Sequence, residues 1–290
     1  MPVDAMGTPP ILGEEPARTT IRIGSDRYHL DLADLATALK DQPQAHWRTA
    51  LGDYFRHRPW PPYERQQLVS GGVDRARSLL RIMMHTADEV PRDLDPVTTV
   101  LGAGLVAVLC VHGRYSPYWI WRTEARRWGM DPAELWAIAL HNVRREAPEL
   151  TRMGSGYALL GDSQYTAANL LRLDELVREP TPHGMLVIVP SRHVVVFCPI
   201  TGGSVLVHAT TLHGLADTLA GKAGGPALTR KVMWRSAGRL TEITLTETGE
   251  RITSPDDPVP VPIWEVAGPV EFVNLVYGFV EDDGTGRDGR

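Results

Sequence analysis

Ten histidines and two cysteines are the residues best suited to metal or nucleophilic chemistry, and their spacing argues against both. His208 and His213 are five positions apart, so on one helix they point to different faces. His193 and Cys198 could meet across a bent strand, but no third ligand follows with recognisable spacing, and no His-Glu-x-x-His is present. No metal ligand is assigned. Cys198 with His193 or His183 is a thiol and imidazole combination close in sequence. A reactive thiol needs an electropositive, partly open site. Cys198 instead follows Val194-Val-Val-Phe197, which reads as packed interior. No Gly-x-Ser-x-Gly elbow occurs, and Gly154-Ser155-Gly156 reads as a flexible loop. The run Gly102-Ala-Gly104-Leu-Val-Ala107 fits G-x-G-x-x-A, but strand formers follow where a dinucleotide site needs a helix. No phosphate loop is present, and no cofactor is implied.

Two buried amides are the more specific signal. At ~100° per residue, Leu135, Trp136, Ile138, Ala139, Leu140 and Val143 define one apolar arc of a helix over 131–146. Asn142 falls inside that arc, while His141 and Arg144 fall outside it. On a helix expected over 163–177, Asn169 lies between Leu173, Leu176 and Tyr165. A buried amide must find partners. Either each asparagine ties down a neighbouring loop, or both face one polar cleft that holds a ligand. Asn142, Asn169 and His193 are the ligand-cleft candidates. Tyr118, Trp119 and Trp121 are the interface candidates, since strand alternation puts the two tryptophans on one face and such aromatics anchor interfaces.

The elements that must position these groups follow from pattern. Met185–Val189 and Val194–Phe197 are apolar without alternation, which means strands covered on both faces. The turn formers Pro190–His193 make them a hairpin in the middle of a sheet. Asp131-Pro-Ala-Glu134 opens a helix with an aspartate cap and a proline at its first position, and Pro148 stops it. Residues 20–23 and 28–30 suggest a hairpin around Gly24-Ser25-Asp26. Helical spacing is read over 31–39, from Gln44 to Arg56, and over Tyr63–His85 with a weak point at Gly71-Gly72. Gly104–Val111 and Tyr118–Trp121 read as strands. Leu212, Leu215, Ala216 and Leu219 mark another helix, and residues 221–226 a loop or hinge. A second hairpin is expected around Ala237-Gly238. Ser254–Pro262, with four prolines, is extended or a linker. Ile263–Val280 is apolar and expected to dock.

Composition bounds the rest. The 290 residues are 43% hydrophobic, enough for a sizeable core, with net charge −5. There is no basic surplus to neutralise phosphates, which argues against nucleic acid. No apolar run reaches the ~18 residues that span a bilayer, which argues against a membrane, and no secretory leader is visible. Two cysteines in apolar runs fit buried thiols in a reducing cytoplasm.

Four stretches together resemble the uncharacterised YtpQ-like family of bacterial proteins: Gly104–Val111, Trp128–Leu135 with Ala139-Leu-His-Asn142, Tyr157-Ala-Leu-Leu with Ala167-Ala-Asn-Leu-Leu171, and Val187–His193. The resemblance covers roughly residues 75–200 and brings no established activity. The expected architecture is α+β, or α/β, with a mixed central sheet, a buried hairpin and covering helices. The expected organisation is a disordered tail (1–18), a mainly helical region (19–95), an α/β core (96–222), a β-rich region (223–280) and a disordered tail (281–290). The functional expectation is a non-catalytic cytosolic binding or adaptor protein that neutralises or scaffolds a protein partner. The alternative is an enzyme of unassigned class with a polar cleft near Asn142 and Asn169.

Overall fold

A computed structural model describes residues 18–23, 26–31, 36, 39–40, 43–48, 61–91, 95–114, 116–222, 227–254 and 257–285. The expected tail over 1–17, most of the helices expected over 31–39 and Gln44–Arg56, the hinge residues 223–226 and the last five residues lie outside this set. The chain divides into two compact units, Met1–Ser70 and Gly71–Arg290. In the first, β1 (Arg18–Ile23) and β2 (Asp26–Asp31) form the expected antiparallel hairpin, and α1 spans Pro61–Ser70.

The second unit is α+β, with two sheets in which every strand pairing is antiparallel. The expectation of a mixed sheet, and with it the α/β reading, is therefore corrected. Continuous apolar runs reflect cover on both faces, not parallel pairing. Helix α2 (Gly72–Ala76) and the 3-10 turn Arg77–Leu79 lead into β3 (Leu80–Thr86). That strand lies where a helix to His85 was expected. Leu, Met and Arg are good helix formers, but Leu80–Thr86 pairs residue for residue with Leu105–Val111, and the tertiary ladder overrides propensity. Strand β4 (Thr98–Gly102) joins β5 (Leu105–His112) through Gly102 and Gly104, both at positive φ. The G-x-G motif is thus a tight turn. Strand β5 is central: β3 lines one edge, while β4 and β6 (Pro117–Trp119) share the other.

After α3 (Arg122–Arg127) comes α4 (Pro132–Arg144). Asp131 accepts a hydrogen bond from the Ala133 amide at 2.7 Å, a cap worth about 1 kcal/mol. Leu135, Ala139, Asn142 and Val143 form its buried stripe. The larger sheet has the order β13-β12-β11-β9-β10-β8-β7. Its strands are β7 (Glu149–Met153), β8 (Gly156–Leu160), β9 (Met185–Ser191), β10 (Val194–Pro199), β11 (Val232–Ser236), β12 (Arg239–Ser254) and β13 (Asp257–Ala267). All seven residues of β9 are buried, as the hairpin reading required. Pro258, Pro260 and Pro262 lie in β13, an edge strand, where a missing amide breaks no inner ladder.

Two helices pack on one face of this sheet. Val205, Ala209, Leu212 and Ala216 of α6 (Val205–Lys222), with Phe272 and Val276 of α7 (Val270–Thr285), share a core with Leu186, Ile188, Val196 and Ile243. Helix α7 carries residues 281–285 of the expected disordered tail. The helix expected over 163–177 is instead a 3-10 segment, Thr166–Arg172, followed by one turn of α5 (Leu173–Leu176). Asn169 Nδ2 donates to the Thr166 carbonyl, the group a continuing α-helix would offer to the Leu170 amide. Side-chain competition of this kind disfavours the α ladder.

Candidate functional site

Asn142 projects from the buried stripe of α4 toward the strand it supports. Its Nδ2 donates to the carbonyls of Arg77 at 2.8 Å and Leu80 at 3.0 Å. Its own backbone carbonyl accepts from the Arg145 amide at 3.1 Å. One residue thereby fixes the end of α4 and the start of β3. Beside it runs a groove of about 530 Å³ lined by Asp74, Arg77, Ser78, Ala137, Ile138, His141, Asn142 and Arg145. All of these except Ile138 and Asn142 are exposed. Arg77, His141 and Arg145 make no ion pair with any described residue. The lining holds two guanidiniums against the single carboxylate of Asp74.

The other two cleft candidates lie outside this groove. Asn169 is 0% exposed. Its amide donates to Thr166 O, and its Oδ1 accepts from Arg172 Nη1 at 2.9 Å. The structure gives it a tying role and does not bring it to a cleft with Asn142. His193 sits in the β9–β10 turn, where Nδ1 donates to the Gly161 carbonyl at 3.2 Å and the backbone amide donates to Ser191 Oγ. The interface candidates are partly packed against the fold. Tyr118 is buried, and Trp119 and Trp121 are half-buried, edge to face at 6.3 Å. Pairing of β6 with β5 lays Trp119 over Met83, Cys110 and Tyr165, so Trp119 packs partly against the core, while Trp121 keeps part of its surface exposed.

Sequence reading missed two interior polar networks on the same face of β3. Alternation puts Arg81, Met83 and His85 on one side. Arg81 Nε donates to Glu146 at 2.5 Å, and Ser163 Oγ donates to the other carboxylate oxygen. The Arg81 guanidinium lies 6.0 Å from the centre of the Tyr165 ring, and the Tyr165 hydroxyl is 2.9 Å from His112 Nδ1. Burial raises the Tyr165 hydroxyl far above its usual range. Farther along, Glu89 Oε2 meets His85 Nδ1, the Thr86 amide and Arg192 Nη2 at 3.0, 3.2 and 3.1 Å, and Arg192 Nε donates to Met84 O. This knot fastens the β9–β10 turn to β3. Burial first, then the charge of Arg192, holds His85 down to about 4. Its Nε2 is the one buried side-chain polar atom among the described residues without a hydrogen bond. A base that weak is poorly matched to proton transfer near pH 7.

One serine and histidine pair does form that the sequence spacing did not suggest. Cys198 is hydrogen-bonded to neither His193 nor His183; its Sγ is 3.5 Å from the Ser155 carbonyl and 4.0 Å from Ser155 Oγ. Ser155 Oγ is in turn 2.6 Å from His208 Nε2. Desolvation lowers His208 and raises the Cys198 thiol. A serine and an imidazole are half of an acyl-transfer site; the other half orients the second imidazole nitrogen. His208 Nδ1 has no such partner among the described residues. His208 and His213 do diverge, since His213 stands edge-on to Trp264 at 6.0 Å. No group of three His, Cys, Asp or Glu is placed to hold a metal among the described residues. No described helix is long and apolar enough to cross a membrane. The only sequence signal for these networks was the four-residue step from His85 to Glu89. Arg77 and Arg145 gave none, because the groove joins segments some sixty positions apart. No protein-family model matches this chain, and neither a curated protein nor a solved structure does.

Proposed function

We propose that this chain is a cytosolic, non-catalytic binding protein that holds a protein partner at the groove beside Asn142. The observation that carries the reading is the contrast between interior and groove. Inside, the Asn142 and Asn169 amide nitrogens, His193 Nδ1 and the Glu146 carboxylate are each held by backbone or side-chain partners. In the groove, Arg77, His141 and Arg145 face solvent without an acidic partner. A volume of about 530 Å³ falls in the range of ligand sites, ~300–1,000 Å³. Polar groups committed to holding the fold are unavailable for chemistry, whereas unpaired groups on a concave surface are free to meet a ligand. The resemblance to the YtpQ-like family over residues 75–200 belongs to the same proposal and adds no activity to it.

The test is site-specific photocrosslinking in the native cell. A photoreactive residue at Ala137, in the groove wall, is expected to give a discrete protein adduct. The same residue at Val100, which is exposed on β4, is expected to give none. Equal adducts at both positions, or none at Ala137, would reject the reading.

A further inference from the structure

We infer that the groove selects an acidic segment of a protein partner, with two carboxylates engaged by Arg77 and Arg145. This rests on the groove being the binding site. The two arginines are not independent surface residues. Asn142 holds the Arg77 carbonyl through its side chain and the Arg145 amide through its main-chain oxygen. Both arginines therefore rise from backbone fastened to one buried residue, which fixes where the two side chains start on either side of the groove. Preorganised cations lose less freedom when they bind. Arginine offers a planar fork that takes a carboxylate through two parallel bonds.

The setting explains why like charges are tolerated here. Arg145 caps the C-terminal end of α4, and His141 lies in its last turn. The free carbonyls there carry partial negative charge and favour cations. Several other arginines of this unit do meet acids: Arg81 with Glu146, Arg144 with Glu175, Arg192 with Glu89, Arg235 with Asp174. Arg144 and its neighbour Arg145 show the contrast within one helix end. Ala137 and half-buried Ile138 add apolar surface to the groove lining for the stems of acidic side chains. Against a nucleic acid backbone stand the net charge of −5 and the carboxylate of Asp74 in the lining itself. Two cations suit discrete carboxylates better than a continuous line of phosphates.

The probe is fluorescein-labelled hexaglutamate, followed by anisotropy with the full chain. Binding is expected, and it should vanish near 1 M salt, where the screening length is ~3 Å. The paired reversal Arg77→Glu with Arg145→Glu should weaken binding about tenfold or more. The charge-matched control Arg126→Glu with Arg127→Glu, on the exposed end of α3, should change it less than about twofold. Unchanged melting temperatures for both pairs keep the comparison free of folding effects. Three results overturn the inference: no hexaglutamate binding by the unaltered chain, equal loss in both pairs, or tighter binding of a single-stranded oligonucleotide that the groove pair also abolishes. The two levels fail separately. A crosslinked adduct at Ala137 that hexaglutamate does not displace keeps the groove as a docking site and removes the acidic partner. Absence of both adduct and peptide binding removes the two together.

Discussion

Replacing Asn142 with leucine tests whether the buried amide holds the fold. Leucine has similar bulk, so the change deletes two donated hydrogen bonds without opening a large cavity. The Leu80 carbonyl keeps a second donor, Arg81 Nη1 at 2.9 Å, and the Arg77 carbonyl lies beside the groove within reach of water. Each lost bond then costs near the net value of ~0.5–1.5 kcal/mol instead of the full penalty for a stranded group, or about 1–3 kcal/mol together. For a folded unit of this size each kcal/mol shifts the melting temperature by ~2–4 °C. The expected drop is about 2–12 °C, measured by thermal unfolding with urea denaturation as a second reading. Asn142→Asp should lose more, because a carboxylate donates nothing and faces two carbonyl oxygens. An unchanged midpoint for Asn142→Leu would refute the anchoring role and return Asn142 to the ligand.

Three further outcomes follow from the interior. Cys110 and Cys198 are free and buried, and burial raises both thiols, so a thiol reagent should label neither until the chain unfolds; rapid labelling of Cys198 would revive the Ser155–His208 corner as a reactive site. His85 is held near 4, below its ordinary 6.5, so the unfolded chain binds the extra proton first. The associated stability is complete above about pH 6.5 and is lost as pH falls toward 4, by up to about 3 kcal/mol at ~1.4 kcal/mol per unit; His85→Gln should flatten that limb, and an unaltered pH profile would count against the clamp. Gly102 has φ +107°, and a Cβ there would meet the Leu240 carbonyl oxygen at 2.0 Å, whereas Gly104, at φ +82°, has open space. Gly102→Ala should therefore cost about 3 kcal/mol or more and Gly104→Ala about 1–2 kcal/mol, and equal losses would contradict this turn geometry.

What the sequence made legible was whatever depends on near neighbours. The capped start of α4, the buried β9–β10 hairpin and the packed thiols all announce themselves within ten residues. The placement of Asn142 on the buried stripe was also readable, because helical phase alone fixes it. The misreadings share a cause. Leu80–Thr86 carries helix-forming side chains, and only its pairing with a strand twenty-five residues later makes it extended. The 163–177 region has helical apolar spacing, but Asn169 takes a backbone carbonyl that the ladder needed. Trp119 and Trp121 share a face as alternation requires, yet alternation does not say whether that face meets water or Tyr165.

A buried amide in an apolar stripe has a cost that must be offset somewhere. The chain changes from a 3-10 turn to a strand at Leu80, against the packed side of α4. Such a change leaves terminal carbonyls outside any helical ladder, and an apolar side chain cannot satisfy them. Asn142 meets this requirement from the neighbouring helix. The break that defeats a reading of residues 63–85 as one helix is thus supported by a residue sixty positions away. The same break ends the turn at Arg77 and Ser78, directly across from the last turn of α4, and so forms the two walls of the groove. Through that coupling, a leucine at 142 should do more than lower stability. It should loosen Arg77 relative to Arg145 and weaken hexaglutamate binding at temperatures where the protein is still folded. Full retention of binding in a folded Asn142→Leu protein would separate the groove from its anchor.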